Sequence, residues 1–576
     1  MPDPLSRRDA GRDTFDLIVV GSGAAGFSAA ITAAKGGLDV ALLEKTGRFG
    51  GTTAYSGGFM WVPNSSLGAK AGLKDSMEDA RTYIRNLAGD HYDPDRVDAY
   101  LVNAPRMLDF FLEAGLQVNL EAFTGDFHSE VPGARRGRAV SPAAVHGSIL
   151  GSRLSELREP LPETTFLGMR IGSGPDMQHF MNVNRSWKSA AYVARRMTGH
   201  AVELARHGRA MHLVNGNALI AQFARMAIDA GVQIRLSTPV VGLISSPEGI
   251  SGVEVVQGGA RRALRARKGV VLATGGFPHD VERRQAWYPH PAGPEQHFSL
   301  APPTNTGDGA LLAESVGGRV VGASNNGAWM PVTRVPQRHG PAHTFMHSFS
   351  AAKGGFIAVI PEGRRYVNES QAWQDVAEPM LTARGESEPA LSFLIGDHRA
   401  VRKFGLGFVK PSPMPLGPYL ASGYLLRGRT IDELARAAGI DPSGLAATIE
   451  AFNSYAREGR DPDFHRGEGK FSRALGDPDI TPNPTLAPIE MPPFYAVKVF
   501  PGDIGTLAGL RTDGEARVLR DSGEPVPRLY AAGNDIATIF GGAYPGGGGT
   551  IGPAATFGFI AARHAAGLPD NPVVIG

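Results

Sequence analysis

The chain has 576 residues, 42% of them hydrophobic and 20% charged, so it is long enough for two or three globular domains. Its 58 Lys and Arg residues nearly balance 56 Asp and Glu residues, which supplies no electrostatic reason to bind nucleic acid. The absence of cysteine excludes disulfides, thiolate nucleophiles, Cys-ligated zinc and Cys-ligated iron–sulfur clusters.

Residues 1–14 are interpreted as a polar tail. Arg7 and Arg8 are followed by polar residues rather than by an apolar stretch, so they do not predict an export signal. No apolar run reaches about 18 residues, which predicts that there is no transmembrane helix. We therefore expect a cytoplasmic protein.

The first informative segment is a short apolar strand followed by a glycine-rich loop. Residues 16–20 read DLIVV, which is typical of a buried parallel strand, and the loop GSGAAG runs from Gly21 to Gly26. An Ala-rich helix over residues 27–35 and a second strand over 40–43 come next. This order of elements predicts the strand–loop–helix–strand unit that binds dinucleotides.

Each motif residue of this unit meets a requirement of a bound dinucleotide. Gly21 permits the tight turn, Gly23 lets the backbone approach a pyrophosphate, and Gly26 permits close packing of helix on strand. The pyrophosphate is expected at the helix N-terminus, where free N–H groups favour an anion. Glu44, at the end of the second strand, is placed to accept hydrogen bonds from ribose hydroxyls. The dinucleotide-binding residues predicted here are Gly21, Gly23, Ala24, Ala25, Gly26, Glu44 and Lys45.

A second loop, rich in glycine and hydroxyl residues, follows this unit. Residues 47–58 read GRFGGTTAYSGG, which is more than NAD needs but suits a flavin lying flat against the backbone. FAD is therefore the predicted dinucleotide. The residues of this loop predicted to bind it are Gly51, Thr52, Thr53, Ser56, Gly57 and Gly58.

With this loop the sequence resembles the flavoprotein superfamily of fumarate reductase, aspartate oxidase and 3-ketosteroid dehydrogenases. Further segments match in the superfamily's order: 213–219, 238–241, 269–277, 306–309 and 529–534. The resemblance implies that the backbone at Val241 holds the adenine, that Asp308 contacts FAD and that Asn534 meets the ribitol. In succinate dehydrogenases a His in this region carries the flavin covalently; residues 1–89 contain no His, so we expect non-covalent FAD.

The resemblance covers roughly residues 14–570. It implies an α/β fold, in which a discontinuous Rossmann-like FAD-binding domain carries an inserted α+β catalytic domain. Such a domain caps the flavin and forms the substrate cleft at the domain interface. The predicted parts of the FAD-binding domain are residues 15–325 and 496–576, and the predicted capping domain is residues 326–495.

Residues 541–554, GGAYPGGGGTIGPA, resemble the YPGPGxTIGPA signature of 3-ketosteroid Δ1-dehydrogenases. This segment suits dehydrogenation next to a ketone, because a C–H bond α to a carbonyl becomes acidic only when the enolate oxygen is stabilised. The Tyr544 hydroxyl and the Gly548 N–H are predicted to donate to that oxygen, and losing one such donor costs about 3 kcal/mol. A base then removes the α proton, and flavin N5 takes hydride from the β carbon. Thr550 and Ile551 open a helix whose N-terminus is expected to point at the flavin.

In the ketosteroid family two further tyrosines form and support the base. Phe127 and Trp373 stand where those tyrosines are expected, and neither residue can take a proton. Both are predicted to line the substrate pocket, and their large rings favour a smaller ketone than a steroid. Tyr192, on a predicted helix, is the candidate base, and His128 is a weaker alternative. A tyrosine base needs its pKa lowered from about 10 by a cationic or hydrogen-bonding neighbour.

The predicted function is an FAD-dependent desaturase of a 3-ketosteroid or of a smaller cyclic ketone such as cyclohexanone, with an electron acceptor still to be identified. A fumarate-reductase-like enzyme is the alternative within the fold, but Lys353 stands in the stretch where that chemistry needs Arg. A second alternative is a non-catalytic flavin module for electron transfer. Neither GxSxG nor HExxH occurs in the sequence, so serine hydrolase and zinc peptidase chemistry are excluded and no metal site is expected.

Overall fold

The structure is a computed structural model that describes residues 12–323, 325–347, 349–385 and 388–568. Residues 1–11 of the predicted polar tail therefore lie outside the described residues, as do residues 569–576 at the end of the predicted FAD-binding domain. Strands and helices alternate along much of the described chain, which confirms the α/β class.

The described residues form twenty-four strands. They are β1 (Thr14–Val20), β2 (Val40–Leu43), β3 (Met60–Trp61), β4 (Val118–Leu120), β5 (Ala139–Pro142), β6 (Val145–His146), β7 (Thr165–Phe166), β8 (Met169–Arg170), β9 (His212–Leu213), β10 (Gln233–Arg235), β11 (Val240–Ser246), β12 (Gly249–Gln257), β13 (Ala260–Leu272), β14 (Phe298–Ser299), β15 (Val320–Val321), β16 (Gly327–Val335), β17 (His343–Met346), β18 (Phe356–Val359), β19 (Ser392–Gly396), β20 (Leu426–Gly428), β21 (Phe494–Thr506), β22 (Gly509–Leu510), β23 (Arg517–Leu519) and β24 (Pro525–Ala531).

Sixteen α-helices lie in the same described ranges. They are α1 (Ala24–Lys35), α2 (Ser66–Lys70), α3 (Met77–Ala88), α4 (Pro94–Glu113), α5 (Pro175–Met181), α6 (Trp187–His207), α7 (Asn215–Asp229), α8 (Val281–Trp287), α9 (Asp308–Glu314), α10 (Trp373–Thr382), α11 (His398–Phe404), α12 (Gly417–Ala421), α13 (Ile431–Ala438), α14 (Pro442–Glu458), α15 (Lys470–Leu475) and α16 (Ile551–Ala566). Short 3₁₀ turns, among them Thr52–Tyr55 and Gly533–Asp535, join some of these elements.

The first sheet has the strand order β10-β2-β1-β13-β12-β11, and β24 and β23 extend it from β13. β1 pairs in parallel with both β2 and β13, and α1 makes the crossover from β1 to β2. All four residues of β2 are buried, as the apolar pattern of a central parallel strand requires. The predicted Rossmann-like unit is therefore confirmed.

Helix α1 is buried over residues 24–33, which reflects its run of small and apolar side chains. It packs on α16, where the hydroxyl of Ser28 donates to the carbonyl oxygen of Ala555 over 2.6 Å. This contact joins the beginning of the chain to its end, so residues separated by more than 500 positions share one core. The predicted discontinuous FAD-binding domain has this feature.

The second sheet is largely antiparallel, with the order β17-β16-β21-β19-β18 and with β14 and β20 paired to β21. Alternate residues of its strands enter two different cores: Phe356 and Val497 pack toward α10 and α11, whereas Ile357 and Ala496 pack toward α13 and α14. This alternation follows from the two-residue period of a strand. The sheet also includes β14 (298–299), which precedes residue 326, and β21 (494–506), which extends beyond residue 495. The domain boundaries predicted at residues 326 and 495 stay predictions.

None of the helices in the described parts of the chain combines the length and the apolar composition needed to cross a membrane.

Candidate active site

The glycine-rich loop joins β1 to α1 at the carboxyl end of the first sheet. Gly21 has a φ of +105°, and a Cβ on it would lie 2.1 Å from the carbonyl oxygen of Ala273. A Cβ on Gly26 would lie 1.9 Å from the carbonyl oxygen of Gly21. Both positions therefore require glycine. The side of Gly23 is open, since its Cβ would meet only the Thr53 hydroxyl, at 3.7 Å.

The first turn of α1 faces the second predicted cofactor loop. The Ala24 N–H donates to Thr53 Oγ1 over 3.1 Å, and Ala25 lies against Gly533 of the turn after β24. The side of Gly51 that lacks a Cβ faces the Cα of Gly23, at 3.5 Å. The two loops predicted separately from sequence thus meet at one helix N-terminus, which is a favourable site for a pyrophosphate.

The hydroxyl residues of the second loop are held by hydrogen bonds. Asn305 Nδ2 donates to Thr52 Oγ1 over 3.1 Å, and Ser56 Oγ donates to the carbonyl oxygen of Thr53 over 2.8 Å. Gly57 and Gly58 follow, and the Gly58 N–H donates to Ser56 Oγ over 3.0 Å. Asn305 was missed by the sequence analysis, although it stands directly before the TGDG segment.

Arg170 is a second residue that the sequence analysis missed. Its guanidinium is buried and donates to the carbonyl oxygens of Ala54 and Ser56, each over 2.8 Å. Burial lowers the pKa of Arg170 to about 10. A side chain from β8 therefore fixes the backbone of the second cofactor loop, and no local sequence pattern predicts such a contact.

Glu44 closes β2 beside the glycine loop. Its Oε2 accepts from Ser22 Oγ over 2.5 Å, and its Oε1 accepts from the N–H and the hydroxyl of Thr46, each over 2.9 Å. Two carboxylate oxygens offer about four acceptor positions, so Glu44 keeps capacity for a ribose hydroxyl. Ser22 and Thr46 orient this carboxylate, a role that the sequence analysis did not assign.

Lys45 and Asp308 form an ion pair with Nζ 2.6 Å from Oδ2. The two residues were predicted on independent grounds, and the structure brings them together. Lys45 also donates to Thr306 Oγ1 over 3.2 Å. Val241 lies on β11, the last strand in the sheet order, with 43% of its surface exposed. Lys45 follows Glu44 directly after β2, so this ion pair lies at the carboxyl end of that strand.

Asn534 lies in the 3₁₀ turn that follows β24. It borders a cavity together with Thr506, Gly549 and Thr550, so a predicted ribitol contact and the predicted cap of α16 share one space. The neighbouring Asp535 is buried and accepts from the Gly276 N–H over 2.9 Å. Asp535 thereby holds this turn against the glycine turn after β13. Ile551, the first residue of α16, is also buried.

The segment that carries Tyr544 is held by contacts with residues from the first part of the chain. The N–H of Phe127 and the hydroxyl of Tyr83 both donate to the carbonyl oxygen of Pro545, over 3.0 and 2.7 Å. Gly548 has a φ of +92°, and a Cβ on it would lie 2.6 Å from the backbone of Met60. Its carbonyl oxygen accepts from the Trp61 N–H over 3.1 Å. Glycine is therefore required at 548 by packing as well as by conformation.

Neither of the two donors predicted to bind a ketone oxygen has an acceptor among the described residues. Within the described ranges, no oxygen accepts from the Gly548 N–H. The Tyr544 hydroxyl oxygen accepts from Thr550 Oγ1 over 3.4 Å, which leaves its own O–H to donate elsewhere. Burial raises the pKa of Tyr544, so the phenol is protonated at neutral pH. Both groups are thus available as hydrogen-bond donors.

The predicted catalytic residue Tyr544 and the two predicted pocket residues, Phe127 and Trp373, meet in one aromatic cluster. The Tyr544 ring lies 6.0 Å from Phe127, in a stacked arrangement, and 6.1 Å from Trp373. Phe127 and Trp373 contact each other edge-to-face at 5.6 Å, and Phe471 lies 4.9 Å from Phe127. Phe127 comes from the first part of the chain. Trp373 is the first residue of α10, which packs against the second sheet, so the cluster joins these two parts of the chain.

His128 and Asp375 lie close together beside this cluster. His128 Nδ1 lies 3.8 Å from Asp375 Oδ2. Asp375 lies in the first turn of α10, two residues after Trp373, and its pKa is raised by burial, an effect that His128 opposes. The pairing places a titratable imidazole next to the aromatic rings.

Tyr192 lies in different surroundings. It belongs to α6, and its ring stacks on His179 of α5 at 4.3 Å. Burial and Asp176 raise its pKa, which is opposite to the change that a tyrosine base needs. Its assignment as the base stays a prediction that these neighbours do not favour.

Residues 16–551 match the family model described as FAD binding domain. The chain belongs to this FAD-binding family. It is 39% identical to the 4-oxocyclohex-2-ene-1-carboxylate 5-dehydrogenase of Sinomonas cyclohexanicum, with 96% of this chain and 94% of that relative covered. It is 36% identical to the 3-oxosteroid 1-dehydrogenase of Mycobacterium tuberculosis, with 96% and 98% covered.

A crystal structure of the 3-ketosteroid delta1-dehydrogenase from Sterolibacterium denitrificans, in complex with 1,4-androstadiene-3,17-dione, matches with a TM-score of 0.89 at 34% identity. The match covers 97% of this chain and 100% of that one. The predicted family, fold class, FAD cofactor and class of reaction, a flavin-dependent dehydrogenation of a CH–CH group, are thereby confirmed. Non-covalent attachment of the FAD stays a prediction.

The residues present fit FAD. Gly23 leaves the space that a pyrophosphate needs at the N-terminus of α1, while Gly21 and Gly26 permit the tight turn and the close packing around it. The hydroxyl loop and the carboxylate of Glu44 supply acceptors and donors along the same edge of the sheet.

Proposed function

We propose that this enzyme desaturates a small cyclic ketone at the carbons α and β to the carbonyl, with the ketone oxygen bound by Tyr544 and Gly548. The observation that carries the proposal is a pair of hydrogen-bond donors without an acceptor among the described residues. They are the Tyr544 O–H and the Gly548 N–H, four residues apart in one loop. Two donors directed at one oxygen stabilise an enolate more than they stabilise the ketone, which lowers the barrier to loss of the α proton.

The aromatic cluster supports a small ring as the substrate. Phe127 and Trp373 lie 5.6 Å apart beside Tyr544, so large side chains occupy the space around the ketone site. The names of two relatives in Sinomonas cyclohexanicum specify oxocyclohexene and oxocyclohexane carboxylates. A six-membered ring with a ketone opposite a substituent agrees with both observations.

We propose His128 as the group that takes the α proton. Its Nδ1 lies 3.8 Å from Asp375, whose negative charge stabilises the imidazolium that proton transfer creates. The other ring nitrogen, Nε2, is then the one that accepts the proton from the substrate. Asp375 acts through His128 and is a positioning residue.

FAD is held by Gly23, Thr53, Glu44, Lys45, Asp308 and Asn534 in this proposal. When bound, FAD supplies the chemistry of hydride acceptance from the β carbon. The aromatic cluster excludes water from the ketone site, which strengthens the hydrogen bonds to the developing enolate. We further propose non-covalent FAD, a cytoplasmic location and a capping region over residues 326–495, all as predicted from sequence.

Reduction of an unsaturated acid is less well supported. Lys353 stands in the stretch where an Arg acid is required, and its Nζ donates to the carbonyl oxygen of Gly476 over 2.9 Å. An ammonium held in this way cannot replace the paired N–H groups of a guanidinium.

Substrate class is tested by mixing the oxidised protein anaerobically with cyclohexanone or with a 3-keto-4-ene steroid and following the visible absorbance of the flavin. The proposal predicts bleaching by cyclohexanone and little or none by the steroid. Trp373→Ala should then admit the steroid, because it removes the ring that narrows the pocket. Bleaching by the steroid alone contradicts the small-ring substrate, and bleaching by neither ketone contradicts the proposed reaction.

A further inference from the structure

A second cavity adjoins the aromatic cluster, and several polar groups stand in its mainly apolar wall. Trp373 borders it and also contacts Tyr544, so one indole ring lies against both sites. Its other polar or aromatic lining residues include His347, Tyr366, Glu369, Gln371 and Ser392. Most ligand sites combine an apolar wall with a few directed polar groups, and this cavity has that character.

His347 is the most unusual of these side chains. It is 3% exposed, and neither of its ring nitrogens has a hydrogen-bond partner among the described residues. Burial lowers the pKa of His347 to about 4, so the ring is neutral at pH 7 and offers one N–H donor and one acceptor. Leaving a buried polar group unsatisfied is costly, so such a side chain calls for a ligand or water.

The Ser392 hydroxyl supplies a second donor that has no acceptor among the described residues. Its hydroxyl oxygen accepts from Tyr366 over 3.0 Å, and no acceptor for its own O–H is found in the described parts of the chain. Ser392 is 1% exposed. The cavity therefore presents two donors, one on His347 and one on Ser392.

Glu369, the carboxylate on the cavity wall, is already satisfied. Arg365 donates to both of its oxygens, over 2.9 and 2.8 Å, and Arg466 donates to Oε2 over 2.9 Å. The Ala358 N–H also donates to Oε1, over 3.0 Å. This carboxylate does not compete for the donors of His347 and Ser392.

We propose that this cavity binds a hydrogen-bond-accepting oxygen carried by the substrate ring at the end remote from the ketone, and that His347 and Ser392 donate to it. The proposal rests on the proposed function, since it assumes that the ketone lies at Tyr544. It assigns to His347 a role in substrate specificity rather than in the chemical step. A ring substituent such as a carboxylate or an ester carbonyl has the required oxygen.

Four ketones test this inference: cyclohexanone, 4-methylcyclohexanone, 4-oxocyclohexanecarboxylate and its methyl ester. For His347→Leu we expect KM to rise about tenfold or more for the two oxygenated ketones and to change less than about twofold for the two apolar ones, with kcat little altered. His347→Gln keeps one donor and one acceptor and should restore most of the affinity. Ser392→Ala should give a smaller rise with the same selectivity, which provides a second variant if His347→Leu folds poorly.

An equal change of KM for the methyl and the oxygenated ketones, or no change at all, would overturn the inference and leave the proposed function intact. An effect on the carboxylate but not on its ester would assign the site to a carboxylate. Equal effects on both would assign it to a neutral carbonyl oxygen. Absence of turnover with all four ketones in the unaltered protein would overturn the proposed function, and the inference with it.

Discussion

Thr550 donates its hydroxyl to the hydroxyl oxygen of Tyr544 over 3.4 Å, and both residues flank Gly548 in one loop. The contact occupies an acceptor position of the phenol and leaves the phenol's O–H to donate. The Gly548 backbone is in turn fixed on β3, where Trp61 binds its carbonyl oxygen. Both donors to the proposed enolate are therefore held in place before substrate binds, which is the condition for electrostatic stabilisation of a transition state.

Removing the Thr550 hydroxyl should make the position of the Tyr544 hydroxyl less fixed while leaving that hydroxyl in place. We expect Thr550→Val to lower kcat roughly tenfold, the effect of one neutral hydrogen bond, with KM nearly unchanged. Thr550→Ser retains the donor and should stay within about threefold of the unaltered enzyme. Steady-state kinetics with cyclohexanone and a dye acceptor measure both. Equal losses in the two variants would indicate that the contact has no role in positioning Tyr544.

The two candidate bases are distinguished by substitution. His128→Asn should lower kcat about a hundredfold or more, because it removes the general base. Asp375→Asn should lower kcat less, because the imidazolium that proton transfer creates loses its carboxylate partner. Tyr192→Phe serves as the matched control and should change kcat little. A large loss in Tyr192→Phe, with His128→Asn active, would instead assign the base to Tyr192.

The FAD site has a position where substitution tests the ligand rather than the fold. A Cβ on Gly23 would meet only Thr53 Oγ1, at 3.7 Å, so Gly23→Ala should fold normally. The added methyl group would occupy the side on which the pyrophosphate approaches, and FAD affinity should fall at least tenfold. Gly199→Ala, on the open surface of α6, is the control. Fluorescence titration of the apoprotein with FAD gives both affinities, and equal values would argue against this binding mode.

Buried histidine makes stability depend on pH. The folded protein holds the pKa of His347 at about 4, below its ordinary value of 6.5. The unfolded chain therefore binds a proton first as the pH falls, and stability is lost from about pH 6.5 down to about pH 4. Between pH 7 and 4.5 this residue should account for roughly 2–3 kcal/mol of lost unfolding free energy.

Chemical denaturation at these two pH values tests this effect. The loss of stability on acidification should be smaller in His347→Leu than in the unaltered protein. An identical pH dependence in the two proteins would show that His347 is not held neutral by burial.

The local parts of the proposed cofactor site can be recognised from the sequence alone. Gly21, Gly23 and Gly26 act within one turn and are recognisable because the strand and helix around them follow at fixed spacing. The meeting of Phe127 with Trp373, 246 positions later, came only from family resemblance. Without that resemblance, no periodicity in the sequence relates the two residues.

Contacts made by isolated side chains across the fold were not predictable. Arg170 reaches the second cofactor loop from more than 110 positions away, and it stands in the two-residue strand β8, which carries no motif. Asp375 was not predicted, although it follows Trp373 by two residues. Its proposed role depends on its proximity to His128, which lies far away in sequence. Tyr192 lies on a predicted helix without a motif around it, so the sequence carries no information about its distance from Tyr544.

The rate of flavin reduction in Tyr544→Phe tests most directly whether Tyr544 stabilises the enolate. Anaerobic stopped-flow mixing with cyclohexanone should show reduction about a hundredfold to a thousandfold slower than in the unaltered protein, with the same FAD content. Tyr455→Phe, on α14, removes a phenolic hydroxyl outside the aromatic cluster and should reduce at the normal rate. A rate for Tyr544→Phe within about threefold of normal would contradict the account.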